Sequence, residues 1–313
     1  MGEERKKIII DCDPSADDAL GIMLALASDE LEVVGITSVF GVCPIEQSTE
    51  NAMRILKLEG REEIPVAKGA AGPLSGFIKF DHLYGGADGM SETGIPQSGL
   101  SPVKAKATEW LREKIEVCAG EITILSTGPM TNLAGLLTEY PSVREKICRI
   151  LTISGSYGVR PDKRGWNPRP SWNVLADPQA ASVVMESGVF IQAAGFDVTG
   201  LLSNHMTEKI LEKGGKDSPR FQFFQKAVEY NLRNGLEPFS LLVDSMALVM
   251  AVLPDAFEFM EGKAVVETEG TWMKGQTLFG TKGYLDGSRS RVRAAYSLDK
   301  EKITNLLIER LFL

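Results

Sequence analysis

The sequence predicts one large α/β domain over residues 1–313, with a mostly parallel central sheet and helices on both faces, in a Rossmann-like open arrangement. Three observations predict it. Apolar, β-rich runs alternate with helical patterns along most of the chain. No linker-like stretch divides them. Each run leads through a turn into a helix, the pattern of right-handed crossovers between parallel strands.

The elements follow in order. Ile8, Ile9 and Ile10 make residues 7–10 a buried strand. Pro14 and Ser15 end it, and a helix over 18–28 runs through Ala19, Leu20, Met23, Leu24 and Leu26. Further strands are predicted at 33–39, 122–126, 150–154 and 190–196, and further helices at 45–58, 103–117, 131–140 and 177–187. Beyond about residue 200 the pattern turns helical, then gives short strands near 264–267 and 292–296 and a last helix over 299–312. Residues 69–102, rich in Gly, Pro and Ser, are too long for a simple connector and read as a loop beside a site. Residues 155–173 read the same way and hold Tyr157, Trp166 and Trp172.

Composition narrows the function. Of 313 residues, 43% are hydrophobic and 24% charged, an ordinary globular balance with material for a sizeable core. A net charge of −8 without a basic stripe argues against a nucleic-acid polymer as partner, but not against an uncharged small molecule. Cys12, Cys43, Cys118 and Cys148 lack metal-ligand spacing and read as reduced thiols. Met1 leads directly into a charged segment, and no apolar run is long enough for a membrane span. A cytoplasmic protein is the expectation.

The most informative stretch is Ile8-Ile9-Ile10-Asp11-Cys12-Asp13-Pro14-Ser15-Ala16-Asp17-Asp18. It places four acids at the carboxyl end of a strand, where open parallel sheets build their sites. Asp17 and Asp18 in a first helical turn would favour the helix dipole, but that accounts for two acids, not four. A hard cation offsets the repulsion, and clustered oxygen ligands suit Ca²⁺ or Mg²⁺ better than zinc. Two other turns, at Gly41 and at residues 126–129, should converge on the same edge.

The Asp11-x-Asp13-Pro14-x-x-Asp17-Asp18 pattern resembles the nucleoside hydrolase family, metal-dependent enzymes that cut the N-glycosidic bond of ribonucleosides. Gly35-Ile36-Thr37-Ser38-Val39-Phe40-Gly41 is similar to the family's second strand and loop, and Asn51-Ala52 to the start of its next helix. Ser126-Thr127-Gly128-Pro129-Met130-Thr131-Asn132-Leu133-Ala134 resembles its central strand-to-helix turn; Phe196-Asp197-Val198-Thr199 and Asp244 also match. The resemblance implies a nucleoside-hydrolase-like fold and a Ca²⁺ held by Asp13, Asp18, Asp244 and the backbone carbonyl of Thr127. It implies Asp13 as general base toward a water, Asp17, Asn173 and Asp244 toward the ribose, Asp11 orienting the loop through backbone N–H groups, and a homodimer or homotetramer. Read from its own neighbourhood, Asp244 could instead cap a helix.

Within the acidic motif Ser15 replaces a family Gly. The other departures fall in the ribose and leaving-group half of the site: Val42 replaces a family Asn, Ser171 a Glu and Val243 a His, and Gly85-Gly86-Ala87-Asp88-Gly89 lacks a family His. His82, Trp166, Trp172, Tyr157, Tyr230 and Arg233 are the candidates for contact with the leaving base. His205 reads as a surface residue. Two other readings compete. Asp11-x-Asp13 after a first strand also suits a haloacid-dehalogenase-like phosphotransferase with Asp11 as nucleophile, although Pro14 is foreign to that pattern. Val42, Ser171 and Val243 also suit a metal-holding nucleoside or sugar binder without turnover.

Overall fold

A computed structural model describes residues 4–77, 80, 84–159, 170–281 and 283–313. Among the described residues nine strands form one sheet in the order β3-β2-β1-β4-β5-β6-β9-β7-β8. They are β1 (Lys6–Cys12), β2 (Leu31–Ser38), β3 (Val66–Lys68), β4 (Thr123–Ser126), β5 (Arg149–Thr152), β6 (Phe190–Ala193), β7 (Phe257–Val266), β8 (Thr277–Gly280) and β9 (Arg291–Leu298). Neighbours from β3 to β9 pair in parallel; β7 runs antiparallel to both β9 and β8. The helices are α1 (Ala16–Leu26), α2 (Ile45–Leu58), α3 (Ala107–Val117), α4 (Thr131–Glu139), α5 (Trp172–Ala176), α6 (Pro178–Met185), α7 (Phe196–Thr199), α8 (Asn204–Lys213), α9 (Pro219–Arg233), α10 (Ser245–Val252) and α11 (Lys300–Leu307).

Side-chain alternation along β1 divides the core. Ile8 and Ile10 pack with α1, α2 and α8–α11 on one face, and Ile9 packs with α3, α4 and α6 on the other. The chain winds from β1 outward to β3, then returns to β4 on the other side of β1. The strand order therefore reverses between β1 and β4. Loops after these two strands diverge onto opposite faces and leave a crevice.

Several boundaries differ from expectation for local reasons. The strand predicted to reach residue 196 stops at Ala193. Gly195 lies so close to the next loop that a Cβ would sit 2.6 Å from the Gly155 carbonyl oxygen, and α7 starts at once. The helix expected from residue 103 starts at Ala107, because Val103 bridges Ala67 in β3. Asn51 lies in the middle of α2, not at its start. β3 and β8, of 3 and 4 residues, lie outside the strands the sequence predicts, because neither is long enough to show a period. Among the described residues of 69–102 there is no named strand or helix. The four cysteines are free thiols.

Candidate active site

The crevice at the ends of β1 and β4 holds a chamber of about 150 Å³. Its lining includes Asp13, Asp17, Asp244, Val42 and Thr127, and also Ile153, Ser154, Gly155, Ser171, Trp172, Asn173, Phe196 and Thr199. Val243 lines it too.

Each acid is held by the local chain. Asp11, fully buried at the end of β1, accepts from Thr37 Oγ1 at 2.6 Å and Asn132 Nδ2 at 2.8 Å. Its expected backbone N–H donors are replaced by this hydroxyl and amide, so Asp11 ties β1 to β2 and α4. Burial raises its pKa to about 6 against the two hydrogen bonds. Asp13 Oδ2 accepts from the Val42 backbone N–H at 2.8 Å. Gly41 and Gly128 form a slot around it: a Cβ at Gly41 would lie 1.8 Å from Asp13 Oδ2, and one at Gly128 2.7 Å from Oδ1. Val42, whose side chain offers no hydrogen bond, thus serves through its backbone.

Asp18 stands at the third position of α1 and accepts from the Ser15 N–H at 3.2 Å, half of a capping box. Its other oxygen accepts from Thr127 Oγ1 at 2.6 Å, which joins α1 to the β4 turn. Asp17 Oδ1 accepts from the Asp18 N–H and from Ser15 Oγ. Asp244 occupies the position before α10, but its side chain makes no cap hydrogen bond, so the helix-cap reading does not hold. It faces the other acids instead.

Carboxylate oxygens of Asp17, Asp18 and Asp244 lie within 4.8 Å of one another. Asp17 thus belongs to the tight trio in the place the resemblance gives to Asp13. Burial, then repulsion from neighbouring acids, raises Asp13 and Asp244 well above the usual carboxylate range and Asp18 to about 7. Two like charges at that separation repel by roughly 3 kcal/mol at an effective dielectric constant of about 20. Among the described residues lining the chamber there is no Lys, Arg or His to offset this. Hard oxygen donors, mutual repulsion and a glycine-walled slot fit a hard divalent cation.

The acidic turn is braced from outside. Asn51 Nδ2 donates to the Pro14 carbonyl at 2.9 Å, and the Ala16 N–H donates to the Gly89 carbonyl at 3.0 Å. Arg54, 4% exposed, pairs with Asp88 at 3.0 Å and bonds Asn51 Oδ1. Asp88 and Gly89 of the long loop are therefore seated against the acidic turn by α2.

The remaining candidates divide. Trp172 lines the chamber and is half exposed. Asn173 lines it too, but its Nδ2 donates to the Thr127 and Ile153 carbonyls. The Thr127 oxygen keeps a second lone pair for another partner. Tyr230 is not part of the lining; it lies on α9 beneath Gly86, with the Arg233 guanidinium 5.9 Å from its ring centre. Tyr157 is buried beside Phe279 in an edge-to-face contact. His82 and Trp166 lie outside the described residues. His205 is a surface residue of α8, near Glu208. Thr37, Asn132, Gly41 and Gly128 were not singled out as site residues beforehand, although all four fall within the quoted motifs.

Asp11 also decides against one alternative. A phosphotransferase nucleophile must reach substrate, and this carboxylate is fully buried, bonded to two side chains and outside the chamber lining.

Asp13, Asp17 and Asp244 thus line a chamber at the switch point of a parallel sheet, together with apolar and hydroxyl-bearing residues. Residues 8–305 match the inosine-uridine preferring nucleoside hydrolase family, and the chain belongs to that family and is an N-glycosyl hydrolase. It is 33% identical over 318 residues to the pyrimidine-specific ribonucleoside hydrolase RihA of Escherichia fergusonii, with 97% of each chain covered. The RihA of Escherichia coli O9:H4 is 32% identical over 317 residues, with 97% of each covered. A plant nucleoside hydrolase superposes with a TM-score of 0.86 at 30% identity, covering 98% of this chain and 99% of that one. A purine-preferring ribonucleoside hydrolase from Gardnerella vaginalis gives 0.82 at 25% identity, covering 98% of each.

Proposed function

We propose that the chamber binds a ribonucleoside or related N-riboside with its sugar toward the acids, and that hydrolysis depends on a Ca²⁺ held by Asp13, Asp18, Asp244 and the Thr127 carbonyl, with Asp17 close enough to share the ion or a sugar hydroxyl. The observation that supports this most is the group of buried acids without a cationic side chain in the described chamber lining. When bound, the ion lowers the pKa of a water and orders vicinal hydroxyls. Asp13, fixed by the Val42 N–H and the two glycines, presents its remaining carboxylate lone pairs to accept the proton of the attacking water. Asp17 accepts a hydrogen bond from a ribose hydroxyl. Trp172 and Phe196 offer apolar surface to the base.

The test is removal of the metal. Chelation should abolish hydrolysis, Ca²⁺ should restore it, and elemental analysis should find one equivalent of Ca²⁺ per chain. Full activity after exhaustive chelation would overturn the proposal.

Specificity follows from the uncharged lining residues. Val243 lines the chamber and offers no proton, and the lining hydroxyls belong to Ser15, Thr127, Ser154, Ser171 and Thr199. Acid assistance to a departing base is typically worth about 10²–10⁴ in rate. Inosine and uridine should therefore be poor substrates, with kcat/KM below about 10⁴ M⁻¹s⁻¹. A ribofuranoside of p-nitrophenol, whose leaving group departs without a proton, should be cleaved well. The RihA relatives are named as pyrimidine-specific, which makes uridine and cytidine the first pair to compare. Efficient turnover of uridine would show that the acid comes from another residue. Ribose or nucleoside binding without release of free sugar from any of these compounds would favour the binder reading.

A further inference from the structure

The non-acidic wall of the chamber is held in an unusual way. After β5 the chain runs through residues 155–159, and four of its backbone N–H groups donate to side chains. The Gly155 N–H donates to Ser171 Oγ at 2.7 Å, and the Ser156 N–H to Thr277 Oγ1 at 2.8 Å. The Tyr157 and Val159 N–H groups donate to the two carboxylate oxygens of Asp197, at 2.7 and 3.0 Å. Gly158, at φ 66, provides the left-handed turn that brings both amides onto one carboxylate. Thr277 Oγ1 also donates to the Ser156 carbonyl at 2.5 Å, so it grips both sides of one residue.

The acceptors come from α7, β8 and the residue before α5, which are 16 to 121 positions away in sequence. Asp197 is fully buried and Thr277 is 4% exposed. Residues adjoining each grip line the chamber: Ser154 and Gly155 before the segment, Ser171 itself, and Phe196 beside Asp197. Charge-assisted bonds donated to a buried carboxylate are short and roughly twice as strong as neutral ones. A wall fixed in this way moves when the acceptors move.

We propose that Asp197 and Thr277 are positioning residues for substrate binding: by holding residues 156–159 they set Ser154 and Gly155, the part of this segment that lines the chamber, against the substrate. This rests on the reading that this chamber takes the nucleoside. Among the described residues the hydrogen bonds of these two side chains go to Ser156, Tyr157 and Val159 and not to the acids or their partners, so the effect falls on substrate affinity and not on the acid cluster. The antiparallel hairpin β7–β8, at the edge of the sheet, gains a role as the carrier of Thr277.

The experiment uses the Asp197→Asn, Thr277→Val and Thr277→Ser variants of the full chain, with p-nitrophenyl ribofuranoside at saturating Ca²⁺. Asp197→Asn and Thr277→Val should raise KM by about tenfold or more while kcat stays within about threefold, the signature of lost binding common to ground and transition states. Thr277→Ser, which keeps the hydroxyl, should restore the wild-type KM. Amide hydrogen exchange at 155–159 should quicken in the first two variants alone. A KM within about twofold of wild type in both, or Thr277→Ser as impaired as Thr277→Val, would overturn the proposal. Should Asp197→Asn fail to fold, the two Thr277 variants decide. Should the wild type cleave no riboside, the proposed function fails and the clamp is judged by exchange: unprotected wild-type amides at 155–159 would refute it.

Discussion

Asp13→Asn should reduce hydrolysis by at least about 10³-fold while leaving the fold intact. The substitution preserves shape. An amide oxygen still accepts from the Val42 N–H, and the slot between Gly41 and Gly128 is filled as before. What is lost is the negative charge that accepts a proton and draws a cation. Removing it also relieves repulsion, because Asp13 is buried and its charged form is opposed by Asp18 and Asp17. With metal chelated, the variant's thermal midpoint should therefore be no lower than that of the wild type. Steady-state kinetics and a melting curve in chelator check both halves. Near-wild-type turnover would show that Asp13 is not the base.

Gly41→Ala should be nearly as damaging, for a steric reason alone. A Cβ there would meet Asp13 Oδ2 at 1.8 Å, Cγ at 2.3 Å and Cβ at 2.5 Å. The backbone at Gly41 is not in the left-handed region, so space alone forbids the methyl group. Asp13 must leave its slot, lose the Val42 hydrogen bond and shift by more than an ångström. Misplacement on that scale costs on the order of 10²-fold in rate, and overpacking costs about 1–3 kcal/mol of stability. Gly72→Ala is the control, since a Cβ there meets nothing within 4 Å. The measurements are kcat/KM, Ca²⁺ affinity by calorimetry and the melting midpoint. A Gly41→Ala enzyme with wild-type activity would mean that Asp13 need not occupy the slot.

The sequence carried the parts of this protein that arise over short distances along the chain. Ile8–Ile10 is β-branched and apolar, and a strand buried on both faces needs just that; Pro14 and Ser15 then break it and start α1. Four acids in eight residues at such a break are legible because like charges at a strand's end demand a partner. The alternation of strands and helices is equally legible, and with it the parallel sheet and the edge where the site had to lie. Tertiary structure decided what depends on residues far apart. That Asp11 bonds Thr37 and Asn132 and is not part of the chamber lining follows from the β1–β2 register and the seating of α4. That Asp17 joins Asp18 and Asp244 within 4.8 Å, while Asp13 sits in a glycine slot beside them, follows from how α1 meets α10 and the β4 turn. The short edge strands β3 and β8 exist only because neighbours pair with them. No local pattern marks Thr277 as a support of the chamber wall, because a hydrogen bond spanning 121 positions leaves no trace in the spacing of neighbouring residues. Hydrophobic period and turn chemistry act over a few residues, whereas a binding wall is built from contacts that exist only once the sheet has closed.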